Sequence, residues 1–126
     1  MKENCRSTSI NLFIVEDNYT TIALYKKLFR YHEFNILDIA CDGLEAIEKY
    51  KQLKFKPDVV LMDFKMPNMN GVEAYKKIMQ FDPEAKIIFV SSDPKIRDYV
   101  LSIGAKDFLE KPIDINELRQ KIIKIL

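Results

Sequence analysis

The chain has 126 residues, near the modal size of one domain and long enough to bury roughly two thirds of its unfolded surface without a disulfide or structural metal. Lys and Arg total 20 against 19 Asp and Glu, a net charge of +1, which excludes the broad electrostatic footprint of a nucleic-acid or anionic-membrane binder. Cys5 and Cys41 stand apart with no Cys-x-x-Cys pairing, and no apolar run exceeds strand length, so a reducing, cytoplasmic setting without membrane insertion is expected.

Met1 to Ser9 is polar with no apolar core of a signal peptide and reads as a flexible tail, leaving residues 10–126 as one domain. Asn11 to Val15 is a buried strand, followed by a helix over Asn18 to Tyr31 with Ile22, Tyr25, Leu28 and Phe29 at helical spacing. Asn35 to Ala40 is a second strand. Leu44, Ile47, Tyr50 and Leu53 mark a helix that starts near Gly43 and stops before Lys56-Pro57, because the residue before proline disfavours the helical region. Val59 to Asp63 is the third strand; Val72, Tyr75, Ile78 and Met79 mark the buried side of a third helix that stops by Asp82-Pro83. Lys86 to Ser91 is the fourth strand. Asp93-Pro94 places an N-cap before a proline at the first helical position, and Gly104 belongs to a left-handed C-terminal cap. Ala105 to Glu110 is a short fifth strand, and Asp114-x-x-Glu117, a variant capping box, opens a last helix carrying Ile115, Leu118, Ile122 and Leu126.

Five strand-helix units with continuous apolar strands define an α/β chain, a doubly wound five-stranded parallel sheet covered on both faces by helices. In such a sheet ligands bind outside the carboxyl ends of the strands, at the switch point in strand order. Glu16, Asp17, Asp63, Ser91 and Lys111 all fall at or just past strand ends. Carboxylates gathered there repel one another unless a divalent cation neutralises them, and an all-oxygen donor set suits Mg²⁺.

Each residue also has a plainer reading. Asp17 is placed to cap the first helix, Ser91 is a polar strand end, and Lys111 resembles a solvated lysine. Asp63 has less structural excuse, because it follows four apolar residues of a central strand. The single histidine, His32, has no acid or cysteine at ligand spacing and reads as a surface residue. Met66 and Met69 flank Pro67 as loop cover, while Lys26-Lys27 and Lys76-Lys77 read as solvated helix faces.

Four segments together carry a family resemblance: Ile14-Val15-Glu16-Asp17-Asn18, Leu61 to Gly71, Phe89-Val90-Ser91-Ser92, and Gly104 to Pro112. From about Asn11 to Leu126 the chain resembles the receiver domains of two-component response regulators. The resemblance implies a flavodoxin-like (βα)5 fold with strand order 2-1-3-4-5. It implies that Asp63 is a phosphoacceptor, a carboxylate nucleophile charged by a histidine kinase or a histidine phosphotransfer protein. Mg²⁺ would be held by Asp17, Asp63 and the backbone carbonyl of Lys65, with Glu16 acting mostly through a metal-bound water. Lys111 would contact the phosphoryl oxygens, directed inward by a cis bond to Pro112, and Ser91 would donate its hydroxyl to them. Lys65 and Asp93 would flank the phosphoryl group. Ser91 and Phe108 match the family's coupled switch pair, and output would leave through the fourth helix, fifth strand and last helix, with Ile96, Tyr99 and Val100 as contact candidates.

The implied protein is a switch rather than a turnover enzyme, with no output domain after Leu126, acting as a monomer or a phosphorylation-dependent dimer. A receiver cut from a longer regulator has the same appearance, and a receiver-like interaction module free of phosphorylation is the alternative. Two other classes fit less well. A haloacid-dehalogenase-like phosphohydrolase needs a second acid at the position of Lys65, and a flavodoxin-like electron carrier needs a hydroxyl-rich cradle where Glu16-Asp17 would repel a flavin phosphate.

Overall fold

Alternation along the strands divides the core in two. Phe13, Val15, Val60, Met62, Ile87, Phe89 and Phe108 point to one face of the sheet, while Leu12, Ile14, Leu61, Ile88, Val90 and Leu109 point to the other. Strand side chains alternate with period two, so a strand buried on both faces must be apolar at every position. The computed structural model describes residues 9–30 and 32–126. The tail expected over Met1 to Ser9 therefore falls, apart from Ser9, outside the described residues.

The elements are β1 (Ile10–Val15), α1 (Tyr19–Phe29), β2 (Phe34–Ala40), α2 (Gly43–Gln52), β3 (Val59–Met62), α3 (Gly71–Phe81), β4 (Ile87–Ser91), α4 (Arg97–Ser102), β5 (Asp107–Glu110) and α5 (Ile115–Ile125), with a 3-10 turn at Pro94–Ile96 before α4. The sheet is parallel in the order β2-β1-β3-β4-β5, the doubly wound order expected. Helices α2, α3 and α4 supply Tyr50, Tyr75, Ile78 and Val100 to the first core. Helices α1 and α5 supply Tyr25, Phe29, Leu118 and Ile122 to the second. Strand order reverses between β1 and β3, so the crevice of the fold opens where Glu16 and Asp63 leave the sheet.

Several expectations shift in detail. Asn18, not Asp17, is the N-cap of α1, its side chain accepting from the Thr21 N–H at 3.0 Å. The fourth helical segment is a 3-10 turn capped by Asp93 and then only six α-helical residues. Strand β5 starts at Asp107 instead of Ala105, because Ala105 N–H turns back to Val100 O and bonding to β4 begins only with Lys106 N–H to Ile87 O. Leu44 is half exposed: the buried side of α2 runs through Gly43, Ala46 and Tyr50, and a strict three-residue spacing from Leu44 drifts off a 3.6-residue helix. The reciprocal capping box lies at Asn70 and Glu73, opening α3. At α5, Asp114 instead accepts from both Asn116 and Glu117 N–H. Gly104 has φ +115°, as the cap reading requires, and the Lys111-Pro112 bond is cis.

Candidate functional site

Backbone pairing brings the site together. Val15 lies opposite Met62 in the sheet, and Asp63 N–H donates to Val15 O at 2.9 Å, which sets Asp63 beside Glu16. On the other side, Ser91 faces Glu110 and its carbonyl accepts from Lys111 N–H at 2.9 Å. Helix α3 begins directly against this ledge: Gly71 N–H donates to Phe64 O at 2.8 Å, and a Cβ on Gly71 would collide with the Asp63 carbonyl oxygen. Only glycine lets the helix approach so closely.

Carboxylate oxygens of Glu16, Asp17 and Asp63 lie within 4.8 Å of one another. Glu16 and Asp63 are buried, at 1% and 7% exposure, and Asp17 is open to solvent. Lys111 Nζ reaches Glu16 Oε1 at 3.0 Å and Asp63 Oδ1 at 3.5 Å. The second Glu16 oxygen accepts from Asn18 N–H at 3.1 Å, so both oxygens of Glu16 are engaged. Asp63 Oδ1 also accepts from Phe64 N–H at 2.9 Å. Burial first, and the Glu16 carboxylate second, push the Asp63 carboxyl up to about 7, against the opposing pull of Lys111. Two close carboxylates with one ammonium cannot all ionise comfortably away from water.

These residues fit a dication. Three carboxylates against one ammonium leave two negative charges, the donors are hard oxygens, and the solvent-facing Asp17 leaves a path for a hydrated ion. The exposed Lys65 lies in the β3–α3 connection, two residues past Asp63.

Ser91 is buried at the end of β4, and its Oγ accepts from Asp93 N–H at 3.1 Å. The Asp93 carboxylate accepts from Lys95 N–H at 3.0 Å, which makes it a cap for the 3-10 turn. Phe108 lies on the same sheet face as Phe89, its pairing partner, and is 5% exposed. The ring thus occupies the interior. A phenyl ring has no hydroxyl to hold it in water, so apolar burial decides its rotamer. Val100 is buried and Ile96 packs against the first core, which leaves Tyr99, 47% exposed, as the contact candidate on α4. His32 is exposed, as expected.

One feature near the site has no sequence signal. Asn68 adopts φ +67° and its Nδ2 donates to Asp42 Oδ2 at 2.8 Å, while Asp42 Oδ1 caps α2 by accepting from Glu45 N–H. The bond spans 26 residues, and nothing local announces it.

A sheet of this order with an acidic cluster at its switch point and a lysine just past the last strand defines a receiver. The chain belongs to the response regulator receiver domain family, whose sequence profile matches residues 12–123. Within it, the chain is similar to CheY-type proteins. It is 38% identical to chemotaxis protein CheY of Thermotoga maritima over 116 residues, 90% of this chain and 95% of that protein. It is 35% identical to chemotaxis protein CheY of Bacillus subtilis over 117 residues, 91% of this chain and 96% of that one. Among solved structures, a chain in the CheX-CheY-BeF3-Mg+2 complex from Borrelia burgdorferi matches with a TM-score of 0.86 at 35% identity, over 92% of this chain and 88% of that one. The chain is thus a two-component signalling receiver of CheY type. Among the described residues, no helix is long and apolar enough to cross a membrane.

Proposed function

We propose that this chain takes a phosphoryl group onto Asp63 from the phosphohistidine of a histidine kinase or histidine phosphotransfer protein, in a Mg²⁺-dependent reaction, and signals through the α4-β5-α5 face. The observation that carries this reading is the buried Asp63 carboxyl at the switch point, 3.5 Å from Lys111 Nζ and beside Glu16 and Asp17. An Asp63 oxygen attacks phosphorus as the P–N bond breaks, and the bond pair leaves with the imidazole nitrogen, so a mixed anhydride forms without any external oxidant or reductant. Bound through Asp17, Asp63 and the Lys65 carbonyl, Mg²⁺ would supply the charge that offsets repulsion between carboxylate and phosphoryl oxygens.

The chain's own residues do the rest. Glu16 holds Lys111 over Asp63, and that ammonium becomes a point charge for the phosphoryl oxygens. Ser91 already accepts from Asp93 N–H, so its hydroxyl proton is the part left to donate. Drawing the Ser91 oxygen toward a phosphoryl group would strain its bond to Asp93, the cap of the turn that leads into α4. This gives a route from site to output surface. The BeF3 and Mg+2 in the Borrelia complex, a phosphoryl mimic with its metal, support the same chemistry here. Turnover is confined to this one side chain, which makes the protein a switch and not an enzyme acting on other substrates.

Intact mass after incubation with acetyl phosphate tests the reading. A single phosphoryl adduct is expected with Mg²⁺, and none with excess chelator or with Asp63→Asn. An adduct of equal yield in chelator would refute the metal requirement, and one retained by Asp63→Asn would refute the acceptor.

A further inference from the structure

Helices run antiparallel to the strands, so the C-terminal ends of α2 and α3 lie at the end of the sheet where the strands begin, opposite Asp63. There Lys51, Lys56, Lys77 and Phe81 come together, and Lys54 and Phe55 lie in the connection that leads from α2 to Lys56. Phe55 is 70% exposed and Phe81 48% exposed, unusual for large apolar rings in a molecule with two filled cores. Between the helices lies a groove of about 320 Å³ lined by Ile47, Lys51, Lys77, Gln80 and Phe81.

The two charged residues that line this groove, Lys51 and Lys77, are both cations. The ammonium of Lys56 stands 4.5 Å from the centre of the Phe81 ring and 4.6 Å from that of Tyr50, and Lys51 stands 5.8 Å from Phe81. Asp82, the acid closest in sequence to Phe81, is already occupied. It accepts from the Tyr50 hydroxyl at 2.6 Å and from Glu84 N–H at 3.2 Å. Among the described residues, Lys51, Lys54, Lys56 and Lys77 form no ion pair with any carboxylate. An overall charge of +1 does not produce such a patch by excess of lysine; placement does.

We propose that the α2–α3 groove docks an acidic segment of a partner protein. One large apolar side chain of the segment enters between Ile47 and Phe81, and its carboxylates meet Lys51, Lys56 and Lys77. Charge complementarity selects the acid. A concave site with Ile47 and Phe81 in its lining suits an inserted side chain better than a flat anionic bilayer, and exposed aromatic rings beside cations are the anchors such interfaces use. The lining residues belong to α2 and α3, so the surface is separate from the α4-β5-α5 face.

A fluorescein-labelled synthetic peptide of Glu and Asp around a single Phe is the probe, read by anisotropy and by backbone NMR shifts of the full chain. Saturable binding is expected, with shifts at Ile47, Lys51, Lys77 and Phe81. Joint reversal, Lys51→Glu with Lys77→Glu, should weaken it by about tenfold or more; both positions are exposed, and circular dichroism checks the fold. Phe55→Ser is a second exposed variant expected to weaken binding. Absence of saturable binding, indifference to the charge reversal, or shifts centred on α4 and β5 would overturn the proposal. So would equal binding of a peptide with Ala in place of Phe, since the groove would then be idle. Tighter binding to phosphatidylglycerol vesicles than to the peptide, abolished by the same reversal, would assign the patch to a membrane and overturn the protein partner.

Discussion

Burial and the Glu16 carboxylate push the Asp63 carboxyl up to about 7, and the strain belongs to the ionised form. A carboxyl whose folded value lies above its unfolded value of about 3.9 binds more protons in the native state between those two points. Its contribution to stability is therefore complete below about pH 4 and is lost as pH rises through about 7. Asp63→Asn removes the ionisable group at nearly constant shape. The metal-free variant is expected to be more stable than the parent by about 1–3 kcal/mol at pH 8 and little different at pH 4. Urea denaturation at the two pH values checks this, and a difference that does not grow with pH would show that Asp63 is not held against its charge. Saturating Mg²⁺ should shrink the gap at pH 8, because it relieves the same repulsion. The acid's position was legible from four apolar residues ending in an aspartate; its proton affinity was not, since that depends on Glu16, 47 residues earlier in the chain.

Loops carry the site, and two of them are held by bonds that bridge distant elements. The β3–α3 connection is tied at one end by Gly71 to Phe64 and in the middle by Asn68 to Asp42, which is also the cap of α2. Asn68 tolerates its left-handed φ because a short polar side chain can do so. Releasing that latch should loosen the stretch that includes the Lys65 carbonyl while leaving β3 in place. Asn68→Ala is expected to weaken Mg²⁺ binding by about tenfold, as removal of outer-shell support does elsewhere. Asn68→Gly, which loses the bond but keeps the backbone shape, should fall between. Calorimetric titration of Mg²⁺ measures both, and unchanged affinity in Asn68→Ala would mean the latch does not position the loop. The β4 connection behaves differently: Ser91 accepts from Asp93 N–H, and Asp93 caps the turn into α4. With the Phe108 ring already inside, activation is expected to move backbone shifts from Ser91 through Val100 on addition of beryllium fluoride and Mg²⁺. A fluorine label on the Phe108 ring should report one buried environment before and after. Two exchanging ring environments, with α4 unmoved, would assign the switch to a swing of the aromatic ring instead.

Across the whole molecule, legibility follows the range of the interaction that decides each feature. The convergence of Glu16, Asp17, Asp63 and Lys111 was readable because buried strands are continuous apolar runs and a doubly wound sheet places their polar ends together, whereas the strand order came only with the family resemblance. The shortness of α4 and the exposure of Leu44 were not readable, because both depend on packing between elements. The same separation in sequence gives the metal site a thermodynamic signature. Asp17 follows β1 and Asp63 follows β3, so the pair exists only in the folded chain, and a cation bound there stabilises that state by mass action. The urea midpoint should rise with the logarithm of free Mg²⁺ once the site begins to fill, by about 2.7 kcal/mol at a hundredfold excess over the dissociation constant. Asp17→Asn should flatten this dependence while leaving the metal-free stability nearly unchanged, since Asp17 is exposed and Asn18 makes the helix cap. Denaturation series with MgCl2 against NaCl at matched ionic strength separate binding from screening, because screening acts on exposed charge in both salts. A Mg²⁺ response that survives Asp17→Asn intact, or that NaCl reproduces, would place the cation's effect elsewhere on the surface and remove the physical basis for assigning it to the cluster at the switch point.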